Sequence, residues 1–181
     1  MPAVAITTRD DWVRAGYELL DARGVAGVSI DRLAPRCLGF YHRFADRSEL
    51  IDAIVDHWMA EGYALVERHQ NIEDPLDRYG STISGLLTSP ALRRSDTALL
   101  LLATGDEGFG ERRDRVRNDF IVLGGELLQR SGMAASLART RAHFVWMGYL
   151  GILGEVHGRS DVPTDEELDA LARQLIERAT T

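Results

Sequence analysis

Apolar residues recur at three- and four-residue steps along most of the chain, the spacing of a helix that buries one face. No segment shows the strict alternation of a half-buried strand. Trp12, Ala15, Gly16, Leu19 and Leu20 mark the first helix, which Thr8-Arg9-Asp10-Asp11 opens as a capping box and Arg23-Gly24 closes. Ser29 is an N-cap for a second helix from Ile30 to about Cys37, and Pro35 late in it implies a short or kinked element. Asp46-x-x-Glu49 is another capping box. It opens a long helix to about His69 with the stripe Leu50, Ile54, Trp58 and Leu65.

Pro75 starts the next helix, through about Leu87, and Ser89-Pro90 starts another that Thr104-Gly105-Asp106 should break. Glu107 to about Arg130 follows, with Phe120, Leu123, Leu127 and Leu128 inward and Ser131-Gly132 as its end. Leu137 to about Val156 is the most apolar helix. Thr164-Asp165-Glu166-Glu167 is a third clear capping box and begins a last helix carrying Leu168, Leu171, Leu175 and Ile176. The pattern predicts an all-α protein of about nine helices.

Composition narrows the class. With 181 residues, 45% of them hydrophobic, the chain can bury a sizeable core, as one compact domain or a small head on a larger body. Its one cysteine, Cys37, allows no internal disulfide and suits a reducing compartment. The first residues lack a signal-peptide pattern, and the run Leu99 to Ala103 is far too short to span a bilayer. A soluble, cytoplasmic protein without a membrane partner is expected. Net charge is -7, but it is uneven: residues 1–47 hold seven Arg and six acids, a net of +1, leaving -8 for the remainder. That asymmetry suits a small nucleic-acid head on an acidic body. All 21 basic residues are Arg, which we attribute to genomic base composition.

Catalytic constellations are not apparent. Gly-x-Ser-x-Gly, a phosphate loop and His-Glu-x-x-His are absent, and the five histidines are scattered. His143 and His157 would lie about 21 Å apart on one helix, too far to share a metal. Asp52, Asp56 and His57 are explained by a solvated helix face. No enzyme activity, metal or cofactor is expected.

The informative stretch is Phe40 to Leu50. Tyr41 and Phe44 are three apart and share a face if helical, His42, Arg43 and Arg47 supply donors, and Asp46 caps the following helix. Together Ser29, Leu33-Ala34, Tyr41-x-x-Phe44 and Arg47-x-Glu49-Leu50 resemble the DNA-binding domain of the tetracycline-repressor (TetR) family over roughly residues 8–60. The resemblance implies an N-terminal three-helix helix-turn-helix head, residues 1–47, on a larger helical body, residues 48–181. It implies that the head binds operator DNA, that the body binds a small molecule and dimerises through its last two long helices, and that ligand binding releases DNA.

One feature departs from the family. Only Leu38, Gly39 and Phe40 lie between Cys37 and Tyr41, about four residues fewer than a turn plus a two-turn recognition helix requires. A break in the chain is expected there, with Tyr41 already helical. The alternative is a head without a normal recognition helix.

The candidate DNA contacts are Ser29, Tyr41, His42, Arg43 and Arg47. Ser29 can cap its helix and also offer its hydroxyl and N–H to a phosphate. The family assigns a phosphate contact to the tyrosine matching Tyr41, whose alternative is core packing, with Phe44 the better core residue. Arg47 stands in the first turn of a helix, against the dipole, which a phosphate partner or plain solvation explains. The recognition-helix residues that would read bases fall in the short stretch.

The helix from Leu137 to Val156 carries Gly148, Gly151 and Gly154, each costing about 1 kcal/mol relative to Ala. Close helix approach would offset that, within one chain or between two. Phe144, Met147, Gly148 and Gly151, with Leu168, Leu171 and Leu175 of the last helix, are the candidate homodimer interface. An effector pocket is expected within the body, with Trp58, Met59 or Tyr63 at its roof and Phe120 and Trp146 in its wall. Each of these is otherwise a core residue. Few charged residues fall inward there, which favours an apolar or aromatic ligand. The expected protein is a homodimeric, ligand-responsive repressor that binds double-stranded operator DNA. The alternative is a helical small-molecule-binding or interaction protein whose shortened head does not bind DNA.

Overall fold

The computed structural model describes residues 8–35, 39–101, 107–157, 159 and 161–181. Among these the chain forms eight α-helices and no strand, so it is all-α as the apolar spacing predicts. They are α1 (Arg9–Arg23), α2 (Ile30–Leu33), α3 (Arg47–Arg68), α4 (Pro75–Thr88), α5 (Pro90–Asp96), α6 (Glu107–Arg130), α7 (Ala135–Val156) and α8 (Asp165–Thr180).

The caps follow local chemistry. Thr8 and Asp11 exchange side-chain-to-backbone hydrogen bonds at the start of α1, and Thr164 and Glu167 do the same at α8. Asp74 accepts from the N–H groups of Leu76 and Asp77 with Pro75 in the first turn of α4, and Ser89 accepts from Leu92 at α5. At α3 Asp46 accepts from the Glu49 N–H at 3.0 Å, but the Glu49 carboxylate accepts from the N–H of Ala45, one residue further out than a capping box places it. Gly132, at φ +101°, closes α6 with the Met133 N–H donating to Leu128.

Residues 1–61 and 62–181 form two compact units. In the first, Trp12, Leu20, Leu33, Phe44, Leu50 and Ile54 are buried. A side chain on Gly16 would overlap the Ile54 methyl, so glycine lets α1 lie close on the first half of α3. In the second, α6 packs on α7 while α8 packs on both α4 and α7. The pairs Gly80–Ile176 and Ser84–Asp169 run α4 and α8 antiparallel. Its core includes Tyr79, Ile83, Leu87, Leu128, Val145, Tyr149, Leu153, Leu168, Ala172 and Ile176.

Two elements differ from the pattern. After α5 the helix widens into a π turn over Thr97–Leu101; the expected break at Thr104-Gly105-Asp106 lies outside the described residues. Where a short helix ending at Tyr41 is expected, the described residues carry a single 3-10 turn, Phe40–His42. Gly39, at φ +73° and ψ 41°, has the left-handed conformation and cannot continue a right-handed helix into it. The expected break in the chain falls on residues 36–38, which are also outside the described residues.

Candidate nucleic-acid interface and body sites

The head is organised around Phe40. Its buried ring meets Trp12 edge-on at 5.0 Å, stacks on Phe44 at 5.6 Å and carries Tyr41 edge-on at 5.1 Å. Trp12 and Phe44 are buried, whereas Tyr41 is 78% exposed, so the Tyr-x-x-Phe pair splits into one core ring and one surface ring. His42 and Arg43 follow Tyr41 on the surface. Arg9 sets its guanidinium over the Phe44 ring at 4.5 Å and pairs with Glu49 at 3.2 Å, holding α1 to the start of α3.

Arg47 reaches the residue that precedes Ser29. The Arg47 Nε donates to the Val28 carbonyl at 2.7 Å and its Nη2 to the Val25 carbonyl at 2.9 Å, binding the first turn of α3 to the α1–α2 connection. These carbonyls give an arginine at this helix start a reason to be there besides any phosphate. Ser29 caps α2 by accepting from the Arg32 N–H at 3.3 Å, and Arg32 itself donates to the Gly27 carbonyl. The surface of the head thus presents Tyr41, His42 and Arg43 on one turn, while Arg47 is tied to the α1–α2 connection next to Ser29.

Of the candidate ligand residues, Trp58 is buried and Met59 half-buried in the first unit. Within the second unit Phe120 and Trp146 meet edge-on at 4.9 Å. Tyr63 is 41% exposed and donates from its hydroxyl to Asp119 at 2.5 Å. Burial and then the Asp119 carboxylate push its pKa up to about 12.

Pattern reasoning missed two neighbours of Phe120 and the partner of one of them. Tyr149 stacks on it at 5.8 Å and Tyr79 lies at 6.4 Å, both rings buried. Asp96, 4% exposed, accepts a hydrogen bond from the Tyr149 hydroxyl. Burial and then the Asp96 charge hold that phenol well above its ordinary pKa. A charged residue at the inward spacing Leu92, Asp96, Leu99 was the available signal.

The candidate interface residues sit on α7 and α8 in two ways. Phe144, Met147 and Gly151 face outward, Phe144 and Met147 being about half exposed, and Leu171 is 39% exposed. Leu168 is buried, while Gly148 and Leu175 are half-buried against each other. Among the described residues no group of three His, Cys, Asp or Glu is placed to hold a metal ion, and no helix is long and apolar enough to cross a membrane.

No protein-family model and no curated protein sequence matches the chain. A crystal structure of a transcriptional regulator from Rhodococcus sp. Rha1 superposes with a TM-score of 0.83 at 18% identity, covering 94% of this chain and 95% of that one. The likeness is one of fold.

Proposed function

We propose that the chain is a homodimeric, ligand-responsive transcriptional regulator of the TetR kind: a repressor that leaves its operator when a small molecule enters the body. It works in the cytoplasm and catalyses no reaction. Residues 1–47 hold the DNA, through Ser29, Tyr41, His42, Arg43 and Arg47, and residues 48–181 hold the effector and the dimer contacts. The observation that carries this is a fold shared along nearly the whole chain with a transcriptional regulator. The exposed Tyr41-His42-Arg43 turn and the net positive charge of the head support it.

Dimerisation would use the outward Phe144, Met147, Gly151 and Leu171, an apolar strip that a single chain leaves in water. The single 3-10 turn at Phe40–His42 favours an alternative, a helical ligand-binding or interaction protein without DNA, because a two-turn helix is what enters the major groove. Selection of duplexes from a random pool by the full chain at low salt separates the two. Enrichment of a palindrome with two half-sites supports the repressor; recovery no better than unselected DNA removes it and leaves the alternative.

A further inference from the structure

The ring cluster of the second unit includes one buried hydroxyl that no described residue satisfies. Phe120 of α6 is the hub, with Trp146 and Tyr149 of α7 and Tyr79 of α4 about it. Its three neighbours are buried to within a few per cent, while Phe120 is half-buried, the ring of the four most open to solvent. The Tyr79 hydroxyl is sealed from solvent and has no hydrogen-bond partner among the described residues. Buried hydroxyls are ordinarily paired, so this one asks for an acceptor. It lies against Gly124 of α6, where any Cβ would overlap its oxygen. Burial keeps the phenol protonated, a neutral donor. Of the charges beside the rings, the Asp96 carboxylate outweighs Arg93 at Tyr149. The polar run Ser95, Asp96 and Thr97 is buried where α5 widens into the π turn, a helix irregularity that recurs at functional sites.

We propose that this cluster binds a flat, uncharged aromatic molecule carrying one hydrogen-bond-accepting oxygen, which the Tyr79 hydroxyl meets. The proposal rests on the ligand-responsive function above for its purpose and gives that effector a chemical class. The ring faces supply the apolar body of such a site and Tyr79 its orienting polar group. An anion is disfavoured by the Asp96 carboxylate. A cation is not required, because Asp96 already accepts from Tyr149.

Equilibrium dialysis of the full chain with 1-tetralone and with tetralin, its hydrocarbon counterpart, tests this. The parent should bind the ketone about tenfold more tightly than the hydrocarbon. Tyr79→Phe should erase that preference by weakening the ketone alone, and Gly124→Ala, which displaces the hydroxyl, should do the same. A preference that survives both substitutions, equal binding of the two compounds by the parent, or no binding of either at millimolar concentration overturns the proposal. DNA affinity measured with and without the ketone is a separate readout. If the ketone binds through Tyr79 and the protein selects no DNA, the site stands and the repressor function falls.

Discussion

Gly148 of α7 lets Leu175 of α8 lie directly on its backbone; a side chain there would overlap one Leu175 methyl group and crowd the other. Three residues along, Gly151 has nothing among the described residues within 4 Å of where its Cβ would be. The two glycines therefore answer differently to the same substitution. Gly148→Leu should destabilise the single chain by about 1–3 kcal/mol through overpacking. Gly151→Leu should leave it unharmed, with up to about 1 kcal/mol gained from helix propensity. If Gly151 faces its own copy across a two-fold axis, the same change acts twice and shifts the dimer toward monomer. Sedimentation at micromolar concentration, beside a thermal melt, reads both effects. An intact dimer with Leu at 151 would place the interface elsewhere.

Arg47 offers a second test. Removing its hydrogen bonds to Val25 and Val28 in Arg47→Ala should cost about 1–2 kcal/mol in urea unfolding. Tyr41→Phe should cost nothing measurable, since that ring is exposed. On DNA both should weaken binding to every sequence alike, and Arg47→Ala should lower the salt slope by about one phosphate. A changed base preference would make Arg47 a base reader.

Tyr149→Phe removes one of the buried partners of the Asp96 carboxylate. Leaving a buried charge short of a donor typically costs about 2 kcal/mol or more. Denaturant titration of the variant should show a lowered midpoint at unchanged slope. No loss of stability would mean that the remaining contacts of Asp96 suffice.

His69 supplies a pH dependence. Burial, then the charges of Arg68 and Arg78, lower its pKa in the folded protein below the ordinary 6.5. The unfolded chain therefore binds the proton first as pH falls. Stability contributed by the neutral imidazole is fully present above 6.5 and is lost as pH drops through the folded value. His69→Gln should flatten the stability profile between pH 7 and 5 relative to the parent. An unchanged difference across that range would show that His69 titrates alike in both states.

Local hydrogen-bond chemistry was legible along the chain. Thr8 with Asp11, Thr164 with Glu167 and Asp74 with Pro75 set helix starts that a few adjacent residues determine. Packing direction was less so. On α8 the stripe Leu168, Leu171, Leu175 is as regular as the set that is buried, Leu168, Ala172, Ile176 and Ala179. Small alanines were chosen because α8 lies close on α4 and α7, which only the fold reveals. Tyr79 and Asp96 were hidden for a similar reason: a tyrosine or an aspartate in a helix reads as solvated until a neighbouring helix covers it. In the head, Gly39 takes a left-handed conformation that residue spacing does not encode, and a single 3-10 turn follows it.

The three tryptophans are all buried, and they are shared unequally between the units: Trp12 and Trp58 in residues 1–61, Trp146 alone in residues 62–181. That distribution makes the protein its own pair of optical probes. Trp146→Phe would leave emission from residues 1–61 alone, and the double change Trp12→Phe with Trp58→Phe would leave emission from residues 62–181 alone. Wavelength shifts on heating would then time the two melts separately, and coincident curves would mark one cooperative transition.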